Sequence, residues 1–391
     1  MSMCLYLRNS IYFKMLNEGL KMKKEKLKPL LKYPGGKTSE LGVINENLPS
    51  NINNYIEPFV GGGAVYFNLD NKNNFINDKS EELILLYKYI KDNNPTFYNE
   101  LDIIISNWNK LKELANNDRI INLYIKYRND DKFDMHQELR DIINIGIEKA
   151  PMFTLRKSIK FESFLVDCLY QKFSLIKRNE IKKKELLEHS PLIDNIEAGI
   201  KAAYYTYLRD VYNKPSEYNK LSKPRKVAIY LFIREYCYSS MFRFNKNGGF
   251  NVPYGGVSYN KKTLETKITY YKTKEVKNIL KHTQLYNEDF YSFLNKIKID
   301  KNDFMFLDPP YDTTFSEYDR NSFGMEDQKR LANYLINECP CRFMLIIKKT
   351  DFIESLYINQ GLKILEQDKT YFVSFKNRNK KDVKHLIIMN Y

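Results

Sequence analysis

The chain has 391 residues, 43% of them apolar, which exceeds the length of one average domain and allows a real core. No stretch approaches the 18 or more uncharged apolar residues of a membrane helix, so no membrane partner is expected. A net charge of +15 favours a polyanionic partner, but overuse of Lys and Asn gives the same excess, so charge counts for nucleic acid only alongside motifs.

Residues 1–26 read as an N-terminal extension. Arg8, Asn9 and Lys14 interrupt its apolar residues and no small-residue cleavage site follows, which argues against a signal peptide. From 27 to 91 the pattern alternates between strand and helix. Asn54 to Phe59 is a short strand running into Val60-Gly61-Gly62-Gly63, with an apolar helix expected over Ala64 to Leu69. Asn73 to Asn77 is a second strand ending at Asp78, and Glu81 to Ile90 has helical spacing. Residues 92–280 differ: helical periodicity and few glycines to about 236, then a Gly-rich turn with a flanking strand over Asn245 to Gly256. Lys177 to Glu188 reads as a solvated helix face. Strand and helix alternate again over 281–391. Asp303 to Leu307 is a buried strand, Glu326 to Glu338 an amphipathic helix and Arg342 to Ile347 a strand. Thr370 to Phe375 and His385 to Met389 form a final antiparallel pair. The expected fold is therefore an α/β sheet domain built from both ends of the chain, with a mainly helical domain inserted between them.

Cys4, Cys168, Cys237, Cys339 and Cys341 form no metal-ligand pattern, and their odd number suits a reducing cytoplasm. His136, His189, His282 and His385 lie far apart and read as ordinary residues, so no metal site is expected.

The sharpest chemical signal is Asp308-Pro309-Pro310-Tyr311, at the carboxyl end of a buried strand, where open α/β sheets bind ligands. Two prolines stiffen the loop and remove its N–H groups, leaving a carboxylate, a rigid carbonyl and an aromatic face. An aromatic amine needs that set, because its lone pair is delocalised into the ring. Asp308 and the Pro309 carbonyl can accept its two hydrogens, and Tyr311 can stack on the base. The second signal is Glu57-Pro58-Phe59-Val60-Gly61-Gly62-Gly63, followed 17 positions after Gly61 by Asp78. Glycines that permit close backbone approach, with a carboxylate placed for ribose hydroxyls, suggest a nucleoside site. Tyr66 stands where a dinucleotide fingerprint has its third glycine, so adenosine without pyrophosphate fits better. Third, Leu31-Lys32-Tyr33-Pro34-Gly35-Gly36-Lys37 suggests a turn near an anion.

Together, in the chain order cofactor loop, target region, catalytic loop, these segments resemble the Dam-like, D12 class of adenine-N6 DNA methyltransferases. The resemblance covers about residues 27–90 and 230–391, including the hairpin-like MFRFNKNGGFNVPYGG and the C-terminal YFVSFKNRNKKDVKHLIIMNY. It implies a Rossmann-like S-adenosylmethionine-dependent sheet and methyl transfer to a flipped adenine in double-stranded DNA. It further implies that Tyr33, Lys37, Phe59, Gly61, Gly63, Asp78, Asp289, Phe290 and Asp308 line the cofactor site. Asp308 to Tyr311 then hold the target amine, while Tyr238, Ser239, Arg243 and Asn251 face DNA. A partner restriction endonuclease fits a restriction-modification setting. Ser239 stands where close Dam relatives carry Asn, and the stretch 92–230 is longer than compact members need, which leaves the recognition sequence open. The alternatives are a catalytically silent DNA-binding protein and an RNA methyltransferase. No cysteine lies in the catalytic loop, which argues against cytosine-C5 chemistry.

Overall fold

Seven strands form one sheet in the order β3-β2-β1-β4-β5-β7-β6. They are β1 (Tyr55–Glu57), β2 (Asn74–Asn77), β3 (Thr283–Tyr286), β4 (Phe304–Leu307), β5 (Arg342–Lys348), β6 (Lys363–Thr370) and β7 (Asp382–Met389). The structure, a computed structural model, describes residues 26–391 except 34, 70, 131, 149–158, 219–220, 312–322 and 371–381. The first five strands are mutually parallel, and β7 inserts antiparallel between β5 and β6. Parallel strands covered on both faces read as unbroken apolar runs, as Phe304 to Leu307 does. Alternate residues then serve opposite cores. Tyr55, Phe304, Phe306, Met344 and Ile387 join one cluster; Ile56, Met305, Leu307, Leu345 and Ile388 join the other.

One flank carries α1 (Leu41–Glu46), entered through a single 3-10 turn at Lys37–Glu40, and α2 (Glu81–Lys91). Then six helices follow before the chain returns to the sheet: α3 (Pro95–Ala115), α4 (Asp118–Asn129), α5 (Met135–Glu148), α6 (Ile159–Lys183), α7 (His189–Asn213) and α8 (Lys223–Tyr236). Their starts are written in the sequence: Asn94 caps α3 with Pro95 in its first turn, and Ser222 caps α8 with Pro224 just inside. Every residue of α8 from Val227 to Tyr236 is buried, and Trp108 of α3 packs on Phe232 and Tyr236. The core of these helices is continuous with that of one sheet face. Beyond α8 come a hairpin-like segment, then α9 (Glu265–Tyr271) and α10 (Lys274–Lys281), which leads into β3.

Two expectations need correction. No α-helix follows the glycine turn; Tyr66–Asn68 is one 3-10 turn, because only ten residues separate Gly63 from β2 and the chain must return to the far end of the sheet. The sixth strand runs over Lys363–Thr370, earlier than expected, and Tyr371 to Phe375 lie outside the described residues, as do Pro34 and most of the N-terminal extension. After β3 comes α11 (Phe290–Lys296); the helix expected over Glu326 to Glu338 is present past β4 as α12 (Met325–Asn333), continued by a π-helical turn at Tyr334–Glu338.

Candidate active site and DNA interface

The loops at the carboxyl ends of β1, β2, β3 and β4 converge. Asn77, buried at the end of β2, staples three of them. Its amide donates to the Pro58 and Glu288 carbonyls (both 3.0 Å), and its carbonyl accepts from the Glu288 N–H (2.9 Å). Phe59, Asp78 and Asp289-Phe290 are thereby held around one opening.

Lys37 lies buried beside the end of β4. The 3-10 turn Lys37–Glu40 puts both end residues on the inward face, each almost wholly buried. The Lys37 ammonium uses its three donors on the Gly35 carbonyl (2.9 Å), Asp308 Oδ1 (2.5 Å) and the Tyr311 hydroxyl (2.8 Å). Pro309 is buried, and the Gln328 amide of α12 donates to the Pro310 carbonyl (3.0 Å), fixing the double-proline loop. Burial pushes the Asp308 carboxyl above the ordinary aspartate value, and the Lys37 ammonium opposes that shift.

Three groups here escaped sequence reasoning. Glu57, buried in β1, accepts the Tyr55 hydroxyl (2.7 Å), and burial, aided by the charges of Asp308 and Asp78, drives its carboxyl well above the usual range. Glu40 accepts or donates at the His385 Nδ1 (2.7 Å), and the His385 ring meets the Tyr311 ring edge-on at 5.4 Å. His385 is thus no ordinary surface histidine. It escaped notice because β7 runs antiparallel: its first residues lie beside the carboxyl end of β5, where Lys348 pairs with His385, and β4 is the next strand over. The signal available was a charged pair, Lys37 and Glu40, one 3-10 turn apart.

The glycine turn is shaped by the protein itself. The Leu30 N–H donates to the Gly62 carbonyl (3.0 Å). A side chain at Gly62 would start 2.4 Å from the Leu31 carbonyl, and one at Gly63 would start 2.5 Å from the Tyr87 hydroxyl. These glycines admit the chain's own backbone and side chains. Gly61 remains at the rim, its N–H donated to Asp78 (3.0 Å). The other Asp78 oxygen takes the Ser80 N–H (2.9 Å). Phe59, Phe290 and Phe323 form an aromatic cluster with centroids 5.4–5.7 Å apart. Asp289 caps α11 through the Tyr291 N–H and pairs with Arg330 at 2.8 Å, and Arg330 covers the Phe290 ring. Tyr33 packs on Phe242 across the edge of the site.

The second surface lies at the hairpin-like segment. Phe244 and Phe250 bridge in antiparallel fashion, and the turn between them is tied by Asn245, which accepts the Asn247 and Gly249 N–H groups. Phe250 and Val252 are buried while Asn251 between them is half-exposed, as alternation requires. Helix α7 grips the buried edge. The Asn213 amide exchanges two hydrogen bonds with the Phe250 backbone (2.8 and 2.9 Å), and Tyr205 and Arg209 both donate to the Val252 carbonyl (2.8 Å). On the outer edge the exposed Arg243 donates through Nε to Asn251 Oδ1 (2.8 Å). Tyr238 is 47% exposed at the base. Next to it Ser239 and Ser240 both take left-handed backbone angles, φ 52°. Such angles cost an L residue on the order of 1–2 kcal/mol each. Ser240→Gly should therefore raise stability by about 1 kcal/mol, read as a higher melting temperature; an unchanged or lower value would place the strain elsewhere.

This sheet order, with an antiparallel seventh strand and a double-proline carboxylate loop after β4, defines a methyltransferase of the S-adenosylmethionine-dependent fold. A family model described as D12 class N6 adenine-specific DNA methyltransferase matches residues 33–164 and 153–372, and the chain belongs to that family; it is an adenine-N6 DNA methyltransferase. Type II methyltransferase M.MjaIII of Methanocaldococcus jannaschii is 29% identical over 383 residues, covering 93% of this chain and 99% of the relative. Type II methyltransferase M.CviBI of Paramecium bursaria Chlorella virus NC1A is 26% identical over 373 residues, covering 93% and 100%. Retron Ec67 DNA adenine methylase of Escherichia coli is 30% identical over 165 residues, 41% of this chain and 53% of the relative. Among the described residues no helix is long and apolar enough to cross a membrane, and no cluster of metal-ligating side chains occurs.

Proposed function

We propose that this protein is a site-specific methyltransferase of double-stranded DNA, using S-adenosylmethionine, in the cytoplasm of a cell with a restriction-modification system. The buried junction of Lys37, Asp308 and Tyr311 at the end of β4 carries the reading. Its donor set suits the cofactor. Asp78 stands where ribose hydroxyls would be held and Phe59 and Phe290 where an adenine would pack. Asp308 supplies a carboxylate beside the position a sulfonium would take, and the buried Glu57 lies behind it with its carboxyl driven towards the neutral form. When bound, the cofactor supplies an electrophilic methyl group. The protein's own part is at the amine. Asp308 and the Pro309 carbonyl accept its hydrogens, which frees the nitrogen lone pair, and Tyr311 stacks on the extruded base while Lys37 holds carboxylate and phenol in register. Residues 27–91 and 281–391 form the catalytic domain in this scheme, and 92–280 the target-recognition domain. The whole-length likeness to two proteins named Type II methyltransferases favours the restriction-modification setting and hence a partner endonuclease.

Asp78→Ala should weaken cofactor binding by about 1.5–3 kcal/mol, the cost of a charged hydrogen bond. It should also lower the melting temperature, because the Gly61 and Ser80 N–H groups lose their acceptor. Calorimetric titration with S-adenosylhomocysteine reads the first effect, and unchanged affinity in a folded variant would remove Asp78 from the site.

Arg243, steadied at Nε by Asn251, is proposed to read a guanine, with Tyr238, Ser239 and Asn251 beside it on DNA. Methylation-aware sequencing of DNA from expressing cells gives the modified base and its context. On duplexes substituted at each position of that context, Arg243→Ala should cost about 1–3 kcal/mol and relax preference at one position. An equal loss on every duplex, with a salt dependence weakened by about one counterion, would make Arg243 a phosphate contact instead.

A further inference from the structure

Arg234, in the last turn of α8, is only 1% exposed, and no carboxylate pairs with it among the described residues. The neighbouring Glu235 is engaged elsewhere, by Lys262 (3.0 Å) and Lys267 (2.8 Å). A buried cation is costly unless its donors are met. Here backbone carbonyls from two segments meet the two Nη groups, while Nε is buried without a hydrogen-bond partner among the described residues. One Nη donates to the Met241 carbonyl (2.9 Å), the other to the Lys32 carbonyl, 202 positions away (3.1 Å). The guanidinium plane lies over Phe242 at 4.4 Å and near Tyr33 at 5.6 Å, each at cation–π distance.

Both segments lead to binding surfaces. Leu30, two residues before Lys32, is hydrogen-bonded to the glycine turn of the cofactor side. Met241 and Phe242 immediately precede Arg243, at the root of the hairpin-like segment, next to the strained pair Ser239-Ser240. A single buried group therefore spans the two surfaces, and a lysine could not replace it, since one ammonium cannot present a planar fork to two carbonyls while covering two rings.

We propose that Arg234 is a positioning residue that makes cofactor and duplex DNA bind cooperatively, by holding the Lys32-Tyr33 segment and the hairpin root in one arrangement. The inference rests on the methyltransferase reading above. Cooperativity of this kind is reciprocal and commonly 5- to 150-fold, that is, about 1–3 kcal/mol.

The test measures the affinity of S-adenosylhomocysteine by titration, alone and with a saturating duplex that carries the mapped methylation site. In the wild type the duplex should tighten binding at least about 5-fold. In Arg234→Lys that factor should fall to near one, while each ligand still binds alone. The melting temperature is read in parallel, since a purely structural role would lower it and leave the factor unchanged. Should Arg234→Lys not fold, Phe242→Leu, which removes one ring face but keeps both hydrogen bonds, should cut the factor at least by half. A variant that keeps the wild-type factor, or a wild type without cooperativity, overturns the proposal. A wild type that binds neither ligand overturns the methyltransferase reading instead.

Discussion

Asp308→Ala should abolish methyl transfer in a chain that still folds, since the residue follows β4 and contributes no side chain to either core, but at a lower melting temperature, because the buried Lys37 ammonium is left without its carboxylate. The amine then loses the acceptor that localises its lone pair, and Lys37 loses its closest partner. The wild-type enzyme should show the same dependence in its pH profile. Burial holds the Asp308 carboxyl above the ordinary aspartate value, so its acid form persists to higher pH. A protonated Asp308 donates rather than accepts on that oxygen. The single-turnover rate should therefore fall as pH drops through that raised value and be complete above it. Normal turnover by purified Asp308→Ala, or an acid limb at the position of an unperturbed aspartate, would reject the assignment.

Lys37→Met should be nearly as damaging, and for two reasons. Removing one partner of a buried ion pair leaves an uncompensated charge, which destabilises by about 3–5 kcal/mol. The orphaned Asp308 faces the field of Glu40 with less to oppose it, so its carboxyl moves further up. The expected result is a lower melting temperature, a rate reduced by about two orders of magnitude or more at neutral pH, and partial recovery as pH is raised. The direction of that recovery is the decisive reading. A Lys37→Met enzyme that improves at lower pH would show that the lysine does something other than keep Asp308 ionised.

How legible all this was depended on which residues a strand shows to water. The runs at β4 and β5 announced themselves, because strands covered on both faces are largely apolar, and β1 did so through the Gly-rich turn that follows it. The edge strand β3, Thr-Gln-Leu-Tyr, passed unmarked, since only Thr283 is fully buried. At the other edge β6, KILEQDKT, is mostly charged and polar, and its expected position came out several residues late. Of the residues the motifs singled out, Lys37, Asp308 and Tyr311 meet through hydrogen bonds, and Asp78 bonds the glycine turn. Asn77, Glu40, His385 and Arg234 were invisible because each acts on partners far away in sequence. For them only the fold supplies the proximity, and a polar residue in a periodic segment looks the same whether it faces water or a buried carboxylate. The glycines carried a different lesson: their close neighbours are Leu31, Tyr87 and Phe67.

The Glu40–His385 pair joins residues 345 positions apart, and the strand that brings His385 is the last of the seven sheet strands in chain order. At about 5–20 residues per second, the ribosome takes on the order of tens of seconds to cover that interval. The helices between Pro95 and Tyr236, rich in local contacts, can pack in the meantime. The junction beneath Tyr311 cannot. A nascent chain thus passes through a period in which it can fold much of its recognition half and still mark no DNA, so that activity begins only once β7 has been made.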